Sequence, residues 1–361
     1  MVDCADVIDG NVESIRRAKR WRYNETFVWE RIYPAYDRCE TIKTMFAFVD
    51  RPLSHEEALF PLAYGMLLYQ NSVQVKPTCC SSLTFSTSLL SDGVDSRCSK
   101  EYTRVWRLSQ ASKRTGAIIS GTDLPLKTNL EMVRIFRALN GSFNSVIADY
   151  PLYRFSNQTR WSPLSIYKSS LSATFSRKDA DYIVRHRKTI ELLHFLSKTE
   201  CSDESVWTTL AGNPKHLSVP GGFDAAVFRR KLSDIYNTVD FYRGRTRFGL
   251  YQPEKYYISR FQTWFFNYRP CYGKLVQFSC VYGVRDLAGI MARPELVAHK
   301  FYLDYQPATY FCVYEALRRR TLDPNWEFTA DGYGILPGPR MMRGERLEDM
   351  QLLSPTGLDF F

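Results

Sequence analysis

Three residues apart, Thr128 and Glu131 stand at the mouth of an apolar-periodic run, and this pairing constrains the chain more than any other stretch. A threonine oxygen there accepts from the N–H of the third helical residue, while a glutamate in that place reaches back to the threonine N–H. Two of the donors that a helix start leaves unsatisfied are thereby filled. The spacing predicts a loop over 120–127 feeding a helix to about Leu139, closed by Asn140-Gly141. Ser176 and Asp179 repeat the arrangement and predict one long helix through Lys198, led in by a short strand over 171–175.

The remaining pattern is a series of short elements. Residues 11–21 read as a basic helix capped by Asn11, with Ile15 and Ala18 inward. Residues 61–75 begin as a buried strand, too short in its apolar run to cross a bilayer. Strands are expected over 258–266 and 276–284, a short helix over 286–291, and a helix over 307–320 with Pro at its first position. Between 76 and 119 no period persists: Ser, Thr and Cys dominate, which predicts a loop or disordered insert. The segment from Asp323 is rich in Gly and Pro and is expected to pack loosely.

The net charge of +10 permits an anionic partner, but no dense Lys/Arg block or nucleic-acid motif is present, and Arg318-Arg319-Arg320 reads as the basic end of a helix. Nucleic acid is therefore not expected. Aromatic residues at 15% suit either a dense core or a site for flat ligands such as sugars and bases. Nine cysteines and three glycosylation sequons, at Asn24, Asn140 and Asn157, fit an oxidising lumen. Residues 1–23 contain no apolar run for a signal peptide or anchor. Either the chain begins downstream of its anchor, or it is cytosolic with free thiols.

Chemistry is expected in residues 201–210, Cys-Ser-Asp-Glu-Ser-Val-Trp-Thr-Thr-Leu. Ser202 is expected to cap a helix, placing Asp203 and Glu204 in its first turn, where dipole and free N–H groups favour an ionised carboxylate. A positioned, ionised carboxylate is what a general base requires. First-turn acids are also ordinary helix chemistry.

Several blocks, in order, resemble the core-2/I-branching β-1,6-N-acetylglucosaminyltransferase family. They include Gly121-Thr122-Asp123-Leu124-Pro125-Leu126-Lys127-Thr128-Asn129-Leu130-Glu131, Lys168-Ser169-Ser170-Leu171-Ser172-Ala173, and Ser202-Asp203-Glu204-x-x-Trp207-x-Thr209. Val219-Pro220-Gly221, Arg260-Phe261-Gln262-Thr263-Trp264, Cys280-Val281-Tyr282-Gly283 and His299-Lys300-Phe301 follow. The resemblance implies an α/β fold, a single GT-A-like (Rossmann-like) domain with a mixed sheet. It would span 61–322, after an N-terminal stem or helical extension over 1–60 and before a Gly/Pro-rich tail over 323–361. It further implies an inverting transfer of N-acetylglucosamine from UDP-N-acetylglucosamine to the 6-hydroxyl of a glycan or glycoprotein acceptor, with Glu204 as base, in the Golgi lumen or at its membrane.

No metal or other cofactor is expected. Asp179-Ala180-Asp181, the one Asp-x-Asp triplet, falls within the expected long helix and reads as a solvated helix face. By resemblance Lys300 binds the donor diphosphate, Gln277 stands where the family has an arginine, and Trp264 and Phe266 lie on the acceptor side. Lys274 or Arg285 could replace the missing charge. The resemblance also implies disulfides Cys271–Cys280 and Cys4–Cys312, and a bonded role for Cys39. Residues 76–119 are too short to supply the family's βαβ unit and uridine-binding acid, and Tyr69 replaces a histidine near the uridine. The chain is thus expected to be a weakened or inactive transferase; a glycan- or partner-binding relative and a xylosyltransferase-like enzyme remain alternatives.

Overall fold

The computed structural model describes residues 2–47, 51–67, 115–155, 161–243, 256–265 and 270–352. Phe266, Asn157, Tyr69 and residues 76–114 of the expected insert lie outside them.

Five short helices lead in: α1 (Cys4–Ile8), α2 (Val12–Arg20), α3 (Thr26–Ile32), α4 (Arg38–Met45) and α5 (His55–Leu59). Asn11 caps α2 as expected, its side chain accepting from Glu13 and Ser14, and Ala18 is fully buried. Strand β1 (Leu62–Leu67) then pairs in parallel with β2 (Thr115–Ser120), and β2 pairs antiparallel with β6 (Thr174–Ser176). Residues 115–119 were expected in the irregular insert, so this is a correction. Their Ala-Ile-Ile run finds its partner only across the whole of 68–114, and a parallel partner at that separation leaves no local signal.

The chain turns at Gly121-Thr122 into a second sheet. Here β10 (Val297–His299) is antiparallel to β3 (Asp123–Pro125) and parallel to β7 (Phe261–Gln262). Helix α6 (Asn129–Ala138) packs beneath it. Its capping box forms as the spacing predicts, and Asn140 and Gly141 close it at φ 50° and 78°. Met132, Val133, Ile135 and Phe136 of α6 meet Leu62, Tyr64, Ala117 and Val297 in a core shared by both sheets.

Ser176 and Asp179 also form their capping box, but the expected single helix is two, α7 (Arg177–Arg185) and α8 (Arg187–Leu196). His186 between them is extended, and its Nδ1 accepts from Lys188 N to start the second helix. Asp179 is fully buried rather than solvated. Its carboxylate accepts from Ser176 and, at 2.7 Å, from Gly221 N, tying the Val219-Pro220-Gly221 turn to α7. Around it, α9 (Val206–Ala211) and α10 (Ala225–Arg243) enclose Phe143, Phe175 and Trp207. Strand β4 (Ala148–Asp149) pairs with β5 (Tyr167–Lys168) at the edge of this core.

The strand expected over 276–284 is a hairpin, β8 (Lys274–Val276) and β9 (Ser279–Val281). Gln277 and Phe278 make its two-residue turn at φ 51° and 61°. Tight hairpins need left-handed residues there, and normally advertise them with Asn or Gly. A Gln-Phe turn gives no such signal. Helix α11 (Leu287–Met291) and helix α12 (Ala308–Leu322) pack against α1 and α2. As far as residue 352 the tail is not loose: α13 (Asp331–Gly334) and α14 (Pro337–Met342) bury Tyr333, Leu336, Pro337 and Pro339.

Both implied disulfides are present. Cys271–Cys280 anchors the hairpin, and Cys4–Cys312 joins α1 to α12. Cys39 is exposed and unpaired among the described residues. The second bridge closes a loop of 308 residues, so removing it releases chain entropy in the unfolded state. Replacing Cys4 and Cys312 together by Ala should lower the unfolding free energy by about 3–5 kcal/mol. Urea unfolding of the double variant beside the parent measures it.

Candidate functional site

Trp207 fixes the segment that carries the candidate base. Its ring is fully buried, 5.3 Å from that of Phe175, and its Nε1 donates to Leu171 O at 2.8 Å. Just before α9 the chain makes a 3₁₀ turn, Ser202–Glu204. Ser202 does not cap it, contrary to expectation. Cys201 occupies the cap position at φ 48°, with no side-chain cap bond, and the backbone of Ser169 donates to Glu204 O. A single turn carries little dipole, so the ionisation of Glu204 must come from elsewhere.

It comes from cations. Arg154 Nη2 lies 2.8 Å and Lys168 Nζ 3.6 Å from Glu204 Oε2. Burial pushes the Glu204 carboxyl up, but Lys168, the Arg154 hydrogen bond and charge, and the charge of Arg260 outweigh it, leaving it below the usual carboxylate range. Arg154 is 8% exposed, and its Nε and Nη1 have no partner among the described residues. Glu204 Oε1 also has no partner among the described residues, and the side chain is 28% exposed. One oxygen is held; the other is open.

Arg260 connects this carboxylate to the second sheet. Its Nη2 donates to Gln262 Oε1 at 2.9 Å, and Gln262 Nε2 donates to Ser279 Oγ at 3.0 Å. Ser279 forms a β-bridge with Trp264, which is half-buried. The positive charge of Arg260 also acts on His299, whose Nδ1 is 2.7 Å from Asp123 Oδ1.

Beside His299, Lys300 is buried and its Nζ donates to Val276 O at 3.0 Å, at the foot of the turn that carries exposed Gln277. Burial lowers the Lys300 pKa. Its ammonium lies 5.6 Å from the centre of the Tyr302 ring, and exposed Lys274 lies 6.0 Å from the same ring and 4.6 Å from that of Tyr305. Lys274 and Lys300 thus converge on one aromatic surface. Arg285 does not join them. Its guanidinium stands 4.5 Å from the Tyr272 ring at a 250 Å³ cavity lined also by Phe261 and Thr263. Phe261 alternates with Gln262 and so lies on the opposite face of β7.

Arg260 acts electrostatically on both Glu204 and His299, Gln262 and Ser279 lead from it to Trp264, and Lys300 bonds at the foot of the Gln277 turn. Arg154, which holds Glu204, and Arg260, which acts on Glu204 and His299, were not singled out by sequence reasoning. Asn24 and Asn140 are exposed. Among the described residues no helix is long and apolar enough to cross a membrane.

Because the Glu204 carboxyl is depressed on folding, its contribution to stability is complete above the unfolded value of about 4.3 and is lost as pH falls through the lower folded value. Glu204→Gln should cost about 1–3 kcal/mol at neutral pH, since it leaves Arg154 without its anion. The gap between parent and variant should close as denaturation curves are taken below about pH 4.

No protein-family model matches the chain. It is 24% identical over 381 residues to rat beta-1,3-galactosyl-O-glycosyl-glycoprotein beta-1,6-N-acetylglucosaminyltransferase 3, covering 89% of this chain and 84% of the relative. A human beta-1,3-galactosyl-O-glycosyl-glycoprotein beta-1,6-N-acetylglucosaminyltransferase matches at 24% over 89% of this chain and 86% of its own. Mouse N-acetyllactosaminide beta-1,6-N-acetylglucosaminyl-transferase matches at 24% over 90% and 88%. The rat alignment is longer than this entire 361-residue chain, so the relative carries residues with no counterpart here. Over most of its length the chain is thus similar to β-1,6-N-acetylglucosaminyltransferases, which supports the core-2/I-branching resemblance and a glycosyltransferase reading.

Proposed function

We propose that the protein transfers N-acetylglucosamine from UDP-N-acetylglucosamine to the 6-hydroxyl of a glycan, with inversion and without a metal, on a GT-A-like domain. The observation that carries the reading is Glu204, ionised by Arg154 and Lys168 on one oxygen and open on the other. An alcohol attacks poorly until a carboxylate within about 3 Å accepts its proton. In the proposed step the acceptor oxygen bonds to the anomeric carbon, the bond from that carbon to the diphosphate breaks, and the proton passes to Glu204 Oε1. Trp264 offers a flat face to the acceptor ring, with Phe266 following it in sequence.

The departing UDP carries the electron pair away as negative charge, which fixed cations can stabilise where it develops. Lys300 keeps donors beyond the one given to Val276 O, because an ammonium has three. Lys274, facing the same Tyr302 ring, supplies the second positive charge that Gln277 does not. Asp179, sealed into its helix cap and the Gly221 turn, is committed to structure. Residence in the Golgi lumen or at its membrane follows from this reading, as do glycans at Asn24, Asn140 and Asn157.

One observation favours a second reading, a relative that binds glycans without transfer: the rat relative has residues that this chain lacks. One experiment separates them. With chelator present, the parent should transfer N-acetylglucosamine, and Glu204→Gln should lose about 10²–10⁴-fold in kcat while binding UDP as before. Equal inactivity of both proteins, with acceptor still bound, would establish the binding module. Lys274→Ala should weaken UDP binding about tenfold, as expected for one lost charge-assisted contact, and leave acceptor binding unchanged. Calorimetric titration reads both.

A further inference from the structure

The second sheet sets three polar side chains in a row. Cross-strand register pairs Asp123 of β3 with His299 of β10, and His299 with Gln262 of β7. Directly opposed residues in neighbouring strands share a face. Asp123 is fully buried, and its Oδ1 is 2.7 Å from His299 Nδ1. Thr122 Oγ1 is 3.4 Å from the same nitrogen. His299 Nε2 has no partner among the described residues.

A carboxylate on Nδ1 selects the tautomer, because it accepts the proton that Nδ1 carries and leaves the lone pair on Nε2. The charged groups acting on the ring are Asp123 from β3, Arg260 from the residue before β7, and Lys300 from the residue after β10. Burial lowers the His299 pKa, and Arg260 and Lys300 lower it further against the opposing hydrogen bond and charge of Asp123. The Asp123 contact thus makes Nε2 the acceptor of the ring, with its donor side already committed.

Its position says what it would accept from. Arg260 acts on both Glu204 and His299, and Lys300 is the next residue in the chain. His299 thus stands within reach of charges that also act at the proposed base and at the proposed diphosphate site. Between an acceptor hydroxyl and a diphosphate sits the sugar being transferred.

Resting on the transferase reading, we propose that His299 is a substrate-contacting residue whose Nε2 accepts a hydrogen bond from a hydroxyl of the transferred sugar, and that Asp123 is its positioning residue. Gln262, at the end of the row, holds Arg260 rather than the ligand.

Two measurements test it. Long-range nitrogen–proton NMR of the full chain with labelled histidine, assigned through His299→Gln, should show His299 neutral with its proton on Nδ1 near pH 7. Asp123→Asn should abolish that tautomer preference. A cationic ring, or a proton on Nε2, overturns the proposal. Titration with UDP and with UDP-N-acetylglucosamine then isolates the sugar. His299→Leu should bind UDP-N-acetylglucosamine about tenfold more weakly and UDP equally well, the loss expected for one hydrogen bond. His299→Gln, which keeps an acceptor oxygen, should recover part of that loss. Equal losses for both nucleotides, or none for either, overturn the proposal while leaving the transferase reading intact. Failure of the parent to bind UDP overturns both.

Discussion

One carboxylate oxygen, Glu204 Oε2, receives both a buried guanidinium and a half-buried ammonium, and the candidate site is arranged around that contact. A guanidinium as enclosed as Arg154 forfeits most of its hydration, which no stabilisation repays unless an anion is close and well placed. Remove the anion and the cation remains, still buried. The segment bearing Arg154, strand β5 bearing Lys168 and the 202–204 turn therefore hold one another in place. This also accounts for Cys201 in the left-handed region, where a non-glycine residue costs about 1–2 kcal/mol. The ion pair and the buried Trp207 ring on the far side of the turn offset that cost.

The same contact polarises what lies beyond it. Arg260 sits within the electrostatic reach of Glu204 and of His299, and it is held there by Gln262, which Ser279 of the hairpin holds in turn. Positive charge consequently runs from the carboxylate toward the hairpin, where Lys274 and Lys300 face Tyr302. The net charge of +10 looks diffuse along the sequence, but the fold gathers part of it, Arg154, Lys168 and Arg260 about Glu204 and Lys274 with Lys300 at Tyr302. The hairpin tip that carries Gln277 is kept in an unfavourable backbone conformation by a disulfide at its base, by Lys300 Nζ on Val276 O, and by Phe265 N on Phe278 O. Strain of this kind persists only where the surroundings over-determine it.

What the sequence disclosed and what it hid divide by distance along the chain. The capping boxes at Thr128 and Ser176 and the Asn11 cap were legible because each is complete within four residues. Glu204 was legible as a candidate, through Ser-Asp-Glu and Trp207, but the source of its charge was not. The helix dipole was the local explanation, whereas the true partner, Arg154, lies fifty residues earlier in a segment with no pattern of its own. The break at His186 has neither Gly nor Pro to announce it. In the tail, Gly and Pro were read as looseness, yet Pro337 opens a helix and Tyr333 reaches Pro294 O from a buried position. Composition reports which backbone shapes are allowed, not whether they are buried.

A carboxylate surrounded by cations is a weak base, and this bears on how the proposed reaction must proceed. Proton transfer from an unactivated sugar hydroxyl to a depressed carboxyl is strongly uphill. It becomes favourable only as the new bond to the anomeric carbon draws charge from the attacking oxygen and makes its proton acidic. Transfer is then late, and the barrier falls mainly through whatever promotes departure of the diphosphate. That places the burden on Lys300 and Lys274 rather than on the strength of Glu204. The arrangement is coherent: the cations that weaken the base guarantee that it is ionised when the acceptor arrives, and its open Oε1 fixes the direction from which the hydroxyl approaches.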